Sequence, residues 1–186
     1  MNELKLLCLC GSLRKASLNR KLMKQAAACF DGRVEVGDLR LPLYDGDLED
    51  AVGLPEAVAH LVEQIREADA VLIACPEYNK APPGVLKNAL DWISRAEGHV
   101  LQGKPVAIVS ATAGRAGGER TQSVLRLMLQ PLRGEVLTHP EVLVGSASKE
   151  FDETGALLSE RYQKAVAALM ARLTEAARVR VRRDAA

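Results

Sequence analysis

Ten residues, Gly11-Ser-Leu-Arg-Lys-Ala-Ser-Leu-Asn-Arg20, follow a short apolar run and have the types needed to hold an anion. Ser12, Ser17 and Asn19 supply short polar donors, Gly11 permits a tight turn, and Arg14 offers a planar fork suited to bidentate contact with a phosphate. Ser17 reads as the N-cap of a following helix, whose first free amides and positive dipole end add to the cradle around Leu18 and Asn19. From Leu9 to Phe30 there are five basic residues and no Asp or Glu. Capping alone does not account for that bias, so the segment is read as a phosphate site.

The kind of phosphate is narrowed by what is missing. The pattern G-x-x-x-x-G-K-[ST] does not occur, which disfavours nucleoside triphosphate chemistry. Gly114, Gly117 and Gly118 do not spell G-x-G-x-x-G, and they follow the fourth strand rather than the first. Cys8 and Arg14 have the Cys-x5-Arg spacing of small cysteine phosphatases. Against that reading, Cys8 sits inside an apolar run, Lys15 replaces the usual Ser or Thr, and the chain has no Asp-Pro dipeptide to supply a general acid. A second loop, Pro76-Glu77-Tyr78-Asn79-Lys80-Ala81-Pro82-Pro83-Gly84, carries one of the chain's six aromatics. A Tyr flanked by prolines, backbone amides and an Asn suits a planar heterocycle that needs a stacking face and hydrogen bonds at its edge.

The elements that must position these loops are legible in the periodicity. Strands are expected at 4–9, 34–38, 70–74, 105–110 and 135–144. The continuous apolar runs Leu6–Leu9, Val71–Ala74 and Val106–Val109 mark strands covered on both faces. Helical stripes run through Leu18, Leu22, Ala26 and Phe30, through Leu54, Val58, Leu61, Val62 and Ile65, and through Leu86, Ala89, Leu90 and Ile93. Two more follow at Val124, Leu125, Met128, Leu129 and Leu132, and at Tyr162, Val166, Leu169, Met170, Leu173 and Ala177. Five strands alternating with helices predict an α/β fold: one doubly wound parallel sheet of order 2-1-3-4-5, flavodoxin-like. Such sheets bind ligands at the carboxyl ends of their strands, which nominates the loops 10–19, 76–84 and 111–119.

With 186 residues, 48% apolar and 26% charged, the chain is expected to form a single domain over 1–186. A net charge of +1 gives no global field toward nucleic acid or anionic membrane. No apolar run approaches the roughly 20 residues that span a bilayer. The opening Met1-Asn-Glu-Leu-Lys5 does not read as a signal peptide, so a cytoplasmic location is expected. Four cysteines (Cys8, Cys10, Cys29, Cys75) without Cys-x-x-Cys spacing and three scattered histidines suggest no metal site. Asp45, Asp47 and Glu49 only superficially resemble a calcium loop, since Asp50 stands where Gly is required. The basic tail, about 178–186, reads as a solvated helix end.

Taken together, Gly11–Arg20, Pro76–Asn79 with Pro83-Gly-Val-Leu-Lys-Asn-Ala-Leu-Asp-Trp92, and Ala113-Gly-Arg-Ala-Gly-Gly118 resemble the NAD(P)H-dependent FMN reductase family, which includes quinone and chromate reductases and azoreductases. The resemblance implies that Ser12, Arg14, Ser17, Leu18 and Asn19 hold the FMN phosphate. It implies that Pro76, Glu77, Tyr78 and Asn79 line the isoalloxazine ring, with Ser110, Gly114, Gly117 and Gly118 near its other edge. Hydride would pass from NADPH or NADH through the flavin to a small acceptor (a quinone, chromate, an azo compound or free flavin), with no catalytic side chain. A homodimer or homotetramer is implied, with Trp92 and the Leu43-Tyr44-Asp45 loop as interface candidates, and core or surface packing as the alternative for Trp92. Lys80-Ala81-Pro82 departs from the family pattern and puts the local turn in question. The alternative is a flavodoxin-like electron carrier serving protein partners, although such carriers are typically strongly acidic.

Overall fold

The computed structural model describes residues 3–185. In chain order the elements are β1 (Lys5–Cys10), α1 (Leu18–Ala27), β2 (Arg33–Gly37), α2 (Gly46–Val52), α3 (Glu56–Glu67), β3 (Ala70–Ala74), α4 (Gly84–Arg95), β4 (Pro105–Ala111), α5 (Glu119–Leu129), β5 (Glu135–Val136), β6 (Val142–Val144) and α6 (Glu160–Asp184). All strands pair in parallel in the order β2-β1-β3-β4-β5, and β6 also pairs with β4. The apolar strands β1, β3 and β4 lie inside this sheet, as their lack of a polar face requires.

Alternation along these strands divides the core in two. Leu7, Leu9, Val71, Ile73, Val106 and Ile108 pack against the apolar faces of α3, α4 and α5. Leu6, Cys8, Leu72, Ala74, Ala107 and Val109 pack against α1 and α6. Registers such as Leu7↔Val71 and Val71↔Val106 put like faces side by side.

The single strand expected over 135–144 is two short ones. Leu137 still donates to the Val106 carbonyl, but Pro140 has no N–H for the ladder, and pairing resumes only at Val142. The first two strands lie one residue away from their expected bounds, and α1 ends before Phe30, which is nevertheless buried. Helix α2 was not foreseen. Asp45 caps it by accepting the Asp47 amide at 3.0 Å, and Glu49 binds Arg95 and the Tyr44 hydroxyl, so these acids have structural partners.

Trp92 belongs to the core. It is fully buried, its Nε1 donates to the Pro42 carbonyl at 2.8 Å, and Tyr44 meets its ring edge-on at 5.0 Å. Asn88 ties the same loop by donating to Pro42 and accepting from the Tyr44 amide. Arg178–Arg183 continue α6, where Arg178 pairs with Asp31, Arg180 with Asp184 and Arg182 with Glu175; Ala186 lies outside the described residues. Among the described residues, no helix is long and apolar enough to cross a membrane.

Candidate active site

The strand order reverses direction between β1 and β3, and the loops leaving these strands part there to form a crevice. A cavity of about 260 Å³ at this point is lined by Ser12, Arg14, Ala16, Ser17, Leu18 and Asn19 from the first loop. Pro76, Glu77 and Tyr78 line it from the loop after β3, and Ala111, Thr112 and Ala113 from the loop after β4. Wider hollows of about 360 Å³ beside Leu90, His99 and Met128, and about 780 Å³ beside Leu4, Gly32 and Arg182, lie toward the amino-terminal edge of the strands. That is the wrong end of a doubly wound sheet for its ligand.

The first loop is built as an anion cradle. Ser17 is extended and accepts the Arg20 amide at 3.2 Å, which starts α1 and leaves the serine hydroxyl hydrogen free to donate. The first-turn amides of Leu18 and Asn19 have no acceptor within the helix. Gly11 lets the loops meet, because a Cβ there would lie 3.1 Å from Pro76 and 3.4 Å from Pro83. Ser12 is buried, with its hydroxyl 3.5 Å from that of Tyr78. Arg14 is exposed at the mouth.

Several of the expected ligands also have side chains that brace the loops. Asn19 donates to the Ala111 carbonyl at 2.8 Å and accepts its amide at 3.0 Å, locking the start of α1 to the end of β4. Glu77 accepts the Thr121 amide at 3.2 Å and so caps α5 from another loop. Ser110 is fully buried, donates to the Gly117 carbonyl at 2.6 Å and accepts from Gln122 at 2.9 Å. Gly117 and Gly118 have φ of 64° and 95°, and a Cβ on them would lie 2.4 Å from Leu143 and 2.7 Å from Ser110. Ser110, Gly114, Gly117, Gly118 and Asn79 are therefore near the cavity but not on its lining, and Asn79 sits at the tip of an exposed turn.

Two positioning residues escaped the sequence reading. Thr121 donates its hydroxyl to the Pro76 carbonyl and lies 3.2 Å from the Cys75 sulfur. Gln122 joins Ser110 to the Val142 carbonyl. The available signal was their spacing: both fall on the buried side of Leu125, where a polar residue needs a partner. Burial pushes the Cys8 thiol up to about 12, and likewise Cys75, so neither is a thiolate nucleophile near neutral pH. Cys8 faces α1 in the core, which disposes of the phosphatase spacing.

Residues 4–149 match the NADPH-dependent FMN reductase family. The chain belongs to that family. It is accordingly an NAD(P)H-dependent oxidoreductase of the flavin class. The reductase is 42% identical over 168 residues to the NAD(P)H-dependent FMN reductase of Pseudomonas aeruginosa, covering 89% of this chain and 90% of that one. It is 41% identical over 163 residues to the quinone reductase of Escherichia coli, covering 85% and 87%. Among solved structures it resembles FerB, a flavoenzyme NAD(P)H:(acceptor) oxidoreductase from Paracoccus denitrificans, with a TM-score of 0.84 and 31% identity over 94% of this chain and 97% of that one.

The residues present fit FMN. The reductase offers two serine hydroxyls, free first-turn amides and one arginine for a single phosphate, beside a half-exposed Tyr78. Its sequence has no G-x-G-x-x-G fingerprint of the kind that holds the pyrophosphate of a resident dinucleotide.

Proposed function

We propose that this reductase transfers two electrons from NAD(P)H to small quinone-type acceptors at one pocket, the cradle at the carboxyl ends of β1, β3 and β4. That cradle is the observation that carries the reading. When bound, FMN supplies the hydride chemistry between donor and acceptor. Ser12, Arg14, Ser17 and the amides of Leu18 and Asn19 hold its phosphate. Pro76, Glu77, Tyr78 and Asn79 shape the ring side, with Tyr78 offering an aromatic face. Ser110, Gly117 and Gly118 fix the loop after β4 so that Thr112, Ala113 and Gly114 approach the opposite edge. Glu77 is engaged at the start of α5 and the buried Cys8 and Cys75 thiols stay protonated, so the chain contributes binding, orientation and electrostatics. The one proton that a quinone takes up besides the hydride comes from water at the open mouth.

Only three loops form the pocket, so donor and acceptor use it by turns. Initial rates at several fixed quinone concentrations should give parallel double-reciprocal lines, and NADPH alone should bleach the yellow protein anaerobically. Intersecting lines would require a second binding surface. A flavin that neither NADPH nor NADH reduces would leave the electron carrier in place of the reductase. We also read 1–186 as one flavin-binding domain that works in the cytoplasm as a homodimer or homotetramer, which light scattering of the holoprotein tests.

A further inference from the structure

Lys80 stands at the tip of a two-residue hairpin beside the mouth of the pocket. Tyr78 and Ala81 exchange backbone hydrogen bonds of 3.0 and 3.1 Å, and φ is 52° at Asn79 and 66° at Lys80. This is type I′ geometry, which suits Asn and Gly but not Lys. The base of the hairpin is stiff, since Pro82 and Pro83 follow it and Pro76 and Pro83 close on Gly11. The backbone that carries this charge is thereby held next to Tyr78.

The rim around it is electrostatically unbalanced. Arg14, Lys15, Lys80, Arg115 and Arg120 are all exposed, and among the described residues none has a carboxylate within 4.0 Å. The acids on the same loops are Glu77, engaged by the Thr121 amide, and Glu119 in the first turn of α5. Elsewhere several cations do have carboxylate partners: Lys87 with Asp91, Arg95 with Glu49, Arg178 with Asp31 and Arg182 with Glu175. These loops and the start of α5 thus set five cations against two carboxylates, in a chain whose net charge is only +1.

A pocket that alternates between a phosphorylated dinucleotide and an acceptor presents the same rim to both. We propose that Lys80 is a specificity-determining residue that favours negatively charged acceptors over neutral ones with the same ring system. This rests on reading the pocket as the flavin and donor site. Lys80 touches no reacting atom; its field raises the encounter rate and the affinity for an anion. The chemistry is unchanged: NADPH, one proton and a quinone give NADP⁺ and the hydroquinone, so an added sulfonate is a spectator that differs only in charge.

The test uses the full-length FMN-loaded protein at saturating NADPH, comparing kcat/KM for 1,4-naphthoquinone and 1,4-naphthoquinone-2-sulfonate at low and high salt. In the unmodified protein the sulfonate value should fall with salt and the neutral one should stay flat. A unit charge about 8 Å away across screened solvent is worth roughly two- to fivefold. Lys80→Gln should therefore lower the sulfonate value roughly two- to fivefold and Lys80→Glu by about the square of that, with the neutral quinone within about twofold. Lys80→Gly removes the charge while relaxing the left-handed backbone, so it should match Lys80→Gln on both quinones and melt at a higher temperature. Lys24→Gln, in the last turn of α1, should change neither quinone. Parallel losses on both quinones, or an unchanged sulfonate value in Lys80→Glu, would overturn the proposal. If the unmodified holoprotein reduces neither quinone, the functional reading fails and takes this inference with it. If it reduces both and the Lys80 variants do not separate them, only the inference falls.

Discussion

At the scale of single residues, chemical type and actual duty divide within one loop. Arg14 is exposed and has no carboxylate partner among the described residues, so its removal should leave the fold intact. A charge-assisted contact to phosphate contributes about 1.5–3 kcal/mol, so Arg14→Ala should weaken FMN binding roughly 10- to 100-fold by flavin fluorescence titration, with unchanged far-ultraviolet dichroism. Asn19 should behave in the opposite way. Its side chain makes two buried bonds to Ala111, and Asn19→Ala leaves that carbonyl and amide unsatisfied. A loss of about 1–3 kcal/mol per unsatisfied group is expected in urea denaturation of the apoprotein. Asn19→Ala as stable as the parent would mean that the amide serves the ligand alone. Lys80→Gly should stabilise the apoprotein by about 1 kcal/mol, because a non-glycine residue at positive φ carries a steric cost that glycine does not.

At the scale of elements, the site depends on how helix ends are satisfied. The first turn of α5 is held by Glu77 and Thr121, and the end of α3 by a lysine. Lys104 is buried and donates to the Arg66 and Ala68 carbonyls at 3.1 and 2.6 Å. Burial brings its ammonium down from 10.5 to about 8. The unfolded chain therefore holds this proton more tightly, and the lysine's contribution to stability rises with pH between about 8 and 10.5. Buried Cys8 and Cys75, raised to about 12, have the opposite effect, since their unfolded thiols ionise first as pH rises. The clean measurement is thus a difference. Lys104→Met should be less stable at neutral pH, yet across pH 8–10 its urea midpoint should fall more steeply than that of the parent. Equal slopes would show that Lys104 titrates normally in the folded protein. The split of the expected fifth strand into β5 and β6 is also decided at this scale, by Pro140 and by where β4 offers partners.

At the scale of the whole molecule, three loops from distant parts of the chain converge on one cradle, so a ligand there should stabilise the entire fold. FMN at about one hundred times its Kd contributes about 2.7 kcal/mol, which for a chain of this size raises Tm by roughly 5–11 °C. Riboflavin, with the same ring and no phosphate, should give a much smaller shift. Equal shifts from the two would move the anchor from the phosphate loop to the ring pocket.

Much of this was written in local pattern. Continuous apolar runs at Leu6–Leu9, Val71–Ala74 and Val106–Val109 determined buried parallel strands, because a strand covered on both faces needs no polar side. Their alternation with helical stripes determined the doubly wound sheet and, through its switch point, the loops that form the pocket. Residue type alone marked Ser12, Arg14, Ser17 and Tyr78 as lining groups, since an anion cradle and a stacking face call for those side chains. Only the tertiary structure decided that Asn19, Glu77 and Ser110 turn toward Ala111, Thr121 and Gly117. It also decided that Trp92 closes over Pro42 inside the core. The physical reason is range. Periodicity records whether a side chain is covered, whereas a polar group's direction depends on a partner that can lie 92 residues away, as Ala111 does from Asn19, and no local pattern encodes that distance.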